Sequence, residues 1–198
     1  MYRLVETIKI RDGIPQNLYW HQLRYEHSYK ALFACTTDVK LAETITIPDQ
    51  FKTGVVKARF IYDKDNFTME FQGYIPQTVS LLRVIENNEI EYSLKYTNRH
   101  LIQQMLLGKG ECDDILILKN GRITDSSIAN IVLYDGENWV TPEYPLLKGT
   151  ARARLLDEQK IILRDIYLID VKSYTHFRLI NSMLDFDEQE MIDINCIK

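Results

Sequence analysis

Segments with the pattern of β-strands recur along the whole chain. This recurrence restricts the chain to folds that contain β-sheets. Residues 55–62 and 67–74 alternate apolar and polar side chains, as expected of strands with one buried face. Residues 114–119 and 129–134 read as further strands, because Asn-Gly and Asp-Gly turn signals follow them. The chain is therefore predicted to build sheets that carry helices.

Helical patterns between the strands set the fold class. Helices are predicted at residues 18–35, 99–107 and 149–159, with Leu23 among the inward-facing residues of the first. The remaining predicted strands cover residues 2–10, 79–85, 91–95, 139–141, 166–169 and 177–183. Strands and helices in this mixture predict an α+β fold.

The chain of 198 residues is long enough for one large domain or two small ones. We place a boundary within residues 93–98, which gives an N-terminal α+β lobe at residues 1–95 and a C-terminal α/β lobe at residues 96–198. This division puts Lys95 at the junction of the lobes, where ligand clefts tend to form.

Composition argues against several classes of partner. The formal net charge is -4 and no dense Lys/Arg run occurs, so we expect neither nucleic acid nor an anionic membrane as a partner. Cys35, Cys112 and Cys196 lack CxxC spacing, which favours reduced thiols in a cytoplasmic protein and no metal site. No apolar stretch approaches the ~20 residues of a membrane span, and the N-terminus lacks a signal-peptide pattern.

Three features in order suggest a specific chemistry. Lys95 ends a predicted strand, Asp125 follows in an acidic turn, and Gly149 opens a predicted helix. A lone lysine at a strand end is usually a solvated edge residue. A lysine, a carboxylate and a helix start are together what a pyridoxal phosphate site requires: an amine to condense with the aldehyde, an acid for the pyridine nitrogen and a helix end for the phosphate.

With these residues in view, the chain resembles the class IV aminotransferases of the fold-type IV pyridoxal phosphate enzymes. This superfamily holds branched-chain and D-amino acid transaminases and aminodeoxychorismate lyase. The matching segments, in order, are residues 21–24, 94–99, 121–131, 141–142 and 147–152. The resemblance implies a two-lobed fold with the cofactor at the lobe junction, a homodimer, and a short member that starts almost at its first motif.

The resemblance also implies a role for each matched residue. Lys95 is the catalytic residue that forms the aldimine with pyridoxal 5'-phosphate. Asp125 stands where the family usually carries a glutamate that pairs with the pyridine nitrogen, and Arg24 matches the phosphate-binding arginine. The expected cofactor-binding set is Arg24, Lys95, Asp125, Gly149, Thr150 and Ala151.

Plainer roles stay open for several of these positions. Asp125 could be an Asx-type turn residue, and Arg24 could lie on a solvated helix face. Arg59 could meet a substrate carboxylate or form a surface ion pair. Asn130 and Asn181 match family positions, but either could cap a turn or a strand end.

Three functions agree with the motifs: two enzymatic activities, and cofactor binding without catalysis. The first is a transaminase that passes the amino group of an amino acid to a 2-oxo acid. The second is a lyase that releases pyruvate and p-aminobenzoate from aminodeoxychorismate, which the Lys-x-x-Asn-Arg sequence at residues 95–99 resembles more closely. The third is a catalytically inactive pyridoxal phosphate-binding homologue.

Overall fold

The computed structural model describes residues 3–198, so Tyr2, at the start of the predicted first strand, lies outside the described residues. The chain divides into two compact units. The first contains the described residues up to 76 together with residues 94–98, and the second contains residues 77–93 and 99–198. The lobe division at residue 95 stays a prediction.

The first unit is built on an antiparallel sheet in the order β2-β1-β3-β4. Its strands are β1 (Leu4–Arg11), β2 (Ile14–Pro15), β3 (Val55–Tyr62) and β4 (Phe67–Gly73). Every second residue of β1 faces the same side, and Leu4, Ile8 and Ile10 are fully buried there. Glu6 occupies the same face, so a carboxylate is placed within an apolar layer.

One long helix, α1 (Leu18–Phe33), packs in this unit, followed by the short α2 (Leu41–Thr44). The buried residues of α1 are His21, Tyr25 and Ser28, whose spacing of four and three residues forms one helical face. The prediction that Leu23 faces inward is wrong. Its side chain is 43% exposed, because it lies off that face.

The second unit is built on a larger sheet in the order β10-β9-β8-β7-β6-β5, in which β11 pairs with β8 and β12. Its elements are β5 (Leu82–Glu86), α3 (His100–Leu106), β6 (Asp114–Lys119), β7 (Arg122–Ser126), β8 (Asn130–Tyr134), β9 (Trp139–Pro142), α4 (Thr150–Asp157), β10 (Ile162–Arg164), β11 (His176–Ile180) and β12 (Ile192–Asp193). The pairs β5–β6 and β9–β10 are parallel. Leu116, Leu133 and Phe177 lie in its main core.

Three local predictions are wrong. The acidic segment after Gly121 is the strand β7, because its polar side chains are buried and hydrogen-bonded instead of exposed in a turn. Residues 91–95 and 166–169 are not strands. Residues 166–169 make isolated backbone hydrogen bonds to β7 and to the turn before it. The N–H of Ile123 donates to the carbonyl of Ile166, and the N–H of Leu168 donates to the carbonyl of Gly121.

The predicted α+β class is confirmed, since helices and largely antiparallel sheets coexist in both units. Within residues 3–198, no helix has the length and apolar character needed to cross a bilayer.

The core of the second unit predicts a sharp contrast between two leucines. Leu133 is fully buried in β8, whereas Leu107 is 86% exposed. Leu133→Ala should lower the free energy of unfolding by about 2–5 kcal/mol, because it leaves a cavity in the core. Leu107→Ala should change it by about 0.5 kcal/mol or less. Urea unfolding followed by tryptophan fluorescence measures both, and equal losses would contradict this description of the core.

Candidate active site

The residues predicted for the cofactor site fall into two groups, one in each unit. Arg24 and Lys95 belong to the first unit. Asp125 and the segment at residues 149–151 belong to the second. The geometry of each group can be built from its own residues.

Arg24 makes a two-pronged ion pair with Glu6. Its Nε–H donates to Oε1 of Glu6 at 2.8 Å, and its Nη2–H donates to Oε2 at 2.6 Å. Burial by itself would raise the pKa of Glu6. The charge of Arg24 and hydrogen bonds from His21 and Arg24 outweigh burial and lower it to about 2. Glu6 is therefore ionised at neutral pH and acts only as an acceptor.

His21 completes this cluster. It lies three residues before Arg24 on α1, and its Nδ1 is 2.6 Å from Oε2 of Glu6. Burial lowers the pKa of His21, and the positive charges of Arg24 and Lys95 act in the same direction against the opposing effect of Glu6. In the described part of the chain, Nε2 of His21 is buried and has no hydrogen-bond partner.

Lys95 lies in an irregular segment and not at a strand end, which corrects the prediction made for residues 91–95. Its carbonyl accepts a hydrogen bond from the backbone N–H of Val5 at 2.9 Å, and the next residue, Tyr96, forms an isolated bridge with Leu4. The side chain is partly buried. Because Val5 precedes Glu6, the backbone of Lys95 is fixed next to the strand that carries the Glu6 cluster.

Asp125 is a buried carboxylate held by two neutral donors. Nδ2 of Asn130 donates to Oδ1 at 2.7 Å, and the backbone N–H of Leu147 donates to Oδ2 at 2.8 Å. Burial raises the pKa of Asp125 to about 6, although these hydrogen bonds and the charge of Arg152 oppose the shift. The residue belongs to β7, so its interpretation as an exposed turn residue is wrong.

The segment before α4 brings a helix start close to Asn130. The first intrahelical bond runs from Ala153 N to Gly149 O, which leaves the amides of Thr150 and Ala151 outside the helical ladder. Gly149 has ordinary backbone angles, but a Cβ there would collide with Oδ1 of Asn130. A side chain at residue 149 is therefore opposed by close packing against Asn130 and not by backbone strain.

Arg152 adds positive charge next to Asp125. It is buried, and its Nη2–H donates to the carbonyl of Pro142 at 2.8 Å. Burial lowers the pKa of Arg152, while the charge of Asp125 opposes that shift. The two residues thus influence one another electrostatically across the start of α4.

The other polar residues with open assignments make structural contacts. Arg59 pairs with Glu70 of the neighbouring strand at 2.6 Å, the surface pair that its position predicted. Asn181 accepts from the N–H groups of Met183 and Leu184 and so caps a turn. The guanidinium of Arg99 donates to the carbonyl of Ser127.

An open cleft of about 520 Å³ lies within the second unit. Its lining includes Lys119, Arg122, Thr124, Tyr144 and Leu146. None of the predicted cofactor-binding residues is among its lining residues.

Three residues of these two groups received no role from the sequence: Glu6, His21 and Arg152. A signal for Glu6 was present, because a glutamate at an inward position of an alternating strand needs a buried partner. The partner relation of Asn130 and Asp125 depends on strand register, which places these two residues opposite one another and which the sequence does not specify here.

Comparison with known proteins identifies the family. The sequence profile described as amino-transferase class IV matches residues 77–186. A Haemophilus influenzae protein described as uncharacterized is 35% identical over 185 residues, which cover 92% of this chain and 98% of that protein. The chain belongs to the class IV aminotransferase family. It is an enzyme of that class, an aminotransferase or a related lyase.

Solved structures show the same fold. The structure of a proposed 4-amino-4-deoxychorismate lyase from Haemophilus somnus 129PT has a TM-score of 0.87 and 34% identity, over 92% of this chain and 97% of that one. A proposed amino-acid aminotransferase from Mesorhizobium loti has a TM-score of 0.80 and 22% identity, over 100% and 99%. The fold-type IV assignment is thereby confirmed.

The raised pKa of Asp125 predicts a distinctive dependence of stability on pH. The folded unit binds a proton at Asp125 more tightly than the unfolded chain, so this contribution is present below about pH 3.8 and is lost as the pH rises through about 6. The loss is about 3 kcal/mol. In Asp125→Asn, the fall in stability across this range should be smaller by that amount.

Urea unfolding measured from about pH 3.5 to 7, in steps of about half a pH unit, would test this pH dependence. A Trp20→Phe background leaves Trp139 as the single tryptophan, so the fluorescence reports the second unit. Identical pH profiles with and without the Asp125→Asn substitution would show that the carboxyl is not desolvated.

Gly149→Ala should disturb Asp125 through Asn130. The added methyl group must displace the Asn130 amide, which loses its bond to Asp125. We expect weaker pyridoxal phosphate binding, by about tenfold, for the loss of a hydrogen bond to a charged group. Gly73→Ala is the matched control, because a Cβ at Gly73 meets open space. Equal cofactor affinities in a fluorescence titration would contradict the packing argument.

Proposed function

We propose that this protein is a pyridoxal phosphate-dependent enzyme that transfers the amino group of an amino acid to a 2-oxo acid. One observation carries the proposal. The Asp125 carboxylate, which the family resemblance matches to the acid for the pyridine nitrogen, is buried and accepts hydrogen bonds from Asn130 and Leu147. Family membership supplies the chemical class. The contacts of the proposed cofactor-binding residues support the binding of pyridoxal phosphate.

Asp125 suits a protonated pyridine nitrogen. Each of its oxygens accepts one hydrogen bond from the protein, and a carboxylate oxygen can accept a second. Burial keeps the pKa near 6, so the carboxyl is poorly stabilised as an anion. A pyridinium N–H would provide a positive charge and a donor, and both favour the ionised carboxylate.

Phosphate-binding roles are proposed from the resemblance for Arg24 and, separately, for the segment Gly149, Thr150 and Ala151. The amides at the start of α4 precede its hydrogen-bonded ladder and can donate to an anion. Arg24 donates to Glu6 through its Nε–H and Nη2–H groups. The ion pair orients the guanidinium but also compensates its charge, so hydrogen-bond geometry contributes more to phosphate binding than net charge.

Bound pyridoxal phosphate supplies an electron sink for the carbon that carries the amino group. Lys95 is the residue that would hold the cofactor and move the proton at that carbon. A lysine must be a neutral amine to do so. Because free lysine titrates at ~10.4, the amine must be desolvated or lie near other positive charge.

A lyase that releases pyruvate and p-aminobenzoate from aminodeoxychorismate is the second candidate. It is favoured by the Lys-x-x-Asn-Arg sequence at residues 95–99 and by the similarity to the proposed lyase of Haemophilus somnus. Arg99 donates to the main chain at Ser127, so this motif residue supports the segment next to β7. That contact serves either activity.

A cytoplasmic homodimer is part of the same proposal. Cys35, Cys112 and Cys196 are free thiols, as expected in a reducing compartment. Strand β4 lies at the edge of its sheet and offers unpaired backbone groups that a second copy could cover. The family resemblance adds the expectation of two-fold assembly.

The cofactor proposal predicts an absorption band at the edge of the visible range in protein incubated with pyridoxal phosphate. Lys95→Met should abolish the band, because it removes the amine. Lys64→Met is the matched control, since Lys64 is exposed and lies elsewhere in the same unit. A wild-type protein that stays colourless with added cofactor would contradict the proposal.

Turnover then separates the two activities. The cofactor-loaded enzyme is incubated with D- or L-amino acids plus 2-oxoglutarate or pyruvate, and separately with aminodeoxychorismate. A new amino acid formed from the 2-oxo acid supports the transaminase. Pyruvate and p-aminobenzoate from aminodeoxychorismate, with no amino transfer, would replace it with the lyase.

A further inference from the structure

The imidazole of His21 has one nitrogen that its surroundings leave unsatisfied. Within residues 3–198, Nε2 is buried and has no hydrogen-bond partner, while Nδ1 is engaged by Glu6 at 2.6 Å. The whole side chain is 1% exposed. Buried polar atoms are nearly always paired in folded proteins, because leaving one unpaired costs free energy. This exception lies in the same cluster as Arg24.

The chemical state of Nε2 follows from Glu6. The ionised Glu6 carboxylate has no proton to donate, so the hydrogen in the short contact belongs to Nδ1 of His21. Burial lowers the pKa of His21, so the ring carries only that one hydrogen at neutral pH. Nε2 is therefore a lone-pair acceptor whose tautomer is fixed by the carboxylate.

The position of His21 connects this acceptor with the proposed ligand site. His21 and Arg24 are three residues apart on α1 and both contact Glu6, so they share one helical face. The charge of Lys95 acts on His21, and the Lys95 backbone is bonded to Val5 beside Glu6. The unsatisfied acceptor thus belongs with two residues that the proposed function assigns to the cofactor.

We propose that His21 is a ligand-binding residue whose Nε2 accepts a hydrogen bond from an N–H or O–H group of the molecule bound at the Lys95 site. The inference rests on the proposed function. A fully deprotonated phosphate offers acceptors alone and does not satisfy Nε2. The matching chemistry is a hydroxyl or a protonated amine, and Lys95 itself is the competing source of such a donor.

Nitrogen NMR of the histidine rings tests the proposal directly. In the cofactor-free protein we expect the resonance pattern of a neutral ring protonated at Nδ1. Saturating pyridoxal phosphate or pyridoxamine phosphate should shift the Nε2 resonance toward that of a hydrogen-bonded nitrogen. A proton on Nε2 of the free protein, or an unmoved resonance when phosphorus NMR shows bound cofactor, would overturn the inference.

The Lys95→Met protein separates the two sources of the donor. With bound cofactor verified by phosphorus NMR, a shift that persists in this variant comes from the ligand, as proposed. A shift that disappears in Lys95→Met comes from the lysine, and the proposed ligand contact is then wrong.

Two substitutions of His21 distinguish ligand binding from a structural role. His21→Asn keeps a donor near the place of Nδ1 and loses the acceptor, so it should weaken pyridoxal phosphate binding about 2- to 10-fold with little change in Tm. His21→Gln keeps an acceptor near the place of Nε2 and loses the bond to Glu6, so it should lower Tm and keep the affinity within about twofold. His27→Gln, on an exposed position of α1, is the control.

The opposite order, with Gln impairing cofactor binding and Asn leaving it intact, would overturn the inference. Failure of the wild-type protein to bind pyridoxal phosphate would instead contradict the proposed function on which the inference rests. A wild-type protein that binds the cofactor with no response at His21 refutes the acceptor role alone.

Discussion

The packing of the first unit depends on the buried carboxylate of Glu6 and its ion pair with Arg24. This carboxylate lies on the inner face of β1 and joins that strand to α1 through Arg24 and His21. Removing one partner from a buried ion pair typically costs about 3–5 kcal/mol, because the other charge remains out of water. The pair therefore fixes how α1 is rotated against its sheet. The backbone of Lys95 is bonded to the same strand, because its carbonyl accepts from the N–H of Val5, the residue before Glu6.

The second unit contains another buried carboxylate, that of Asp125, whose pKa is shifted in the opposite direction. Glu6 is compensated by a guanidinium, and its pKa falls to about 2. Asp125 is bound by an amide and a backbone N–H, and burial raises its pKa to about 6. The first carboxylate is a permanent charge that organises side chains. The second is poorly stabilised as an anion, and a ligand that brings a positive charge would favour its ionised form.

Several elements could be read from the sequence because one local signal determined them. The strands at residues 55–62 and 114–119 were predicted with their observed bounds, since alternation or an apolar run is bracketed by turn residues. Strand β7 was missed because its polar side chains are buried; Thr124, for example, donates to the carbonyl of Ile117. Such a strand looks like a loop until its hydrogen-bond partners are known.

For the candidate site, the sequence predicted the family, and the roles of the site residues are not tested by the structure. The order of matched motifs gave the family, and comparison with known proteins confirmed it. The roles of Lys95, Asp125 and the phosphate-binding residues remain proposals. The Glu6–His21 contact could not be predicted, because it joins residues fifteen positions apart whose proximity depends on how α1 packs. Buried polar partners of this kind are set by tertiary packing and not by local pattern.

We propose that Lys95, among all lysines of the chain, is the residue that holds the cofactor. Borohydride reduction of the protein incubated with pyridoxal phosphate, followed by proteolysis and mass spectrometry, locates the attachment site. We expect a single stoichiometric phosphopyridoxyl modification on the peptide that contains Lys95. Modification that is spread over exposed lysines, or that concentrates on another lysine, would contradict it.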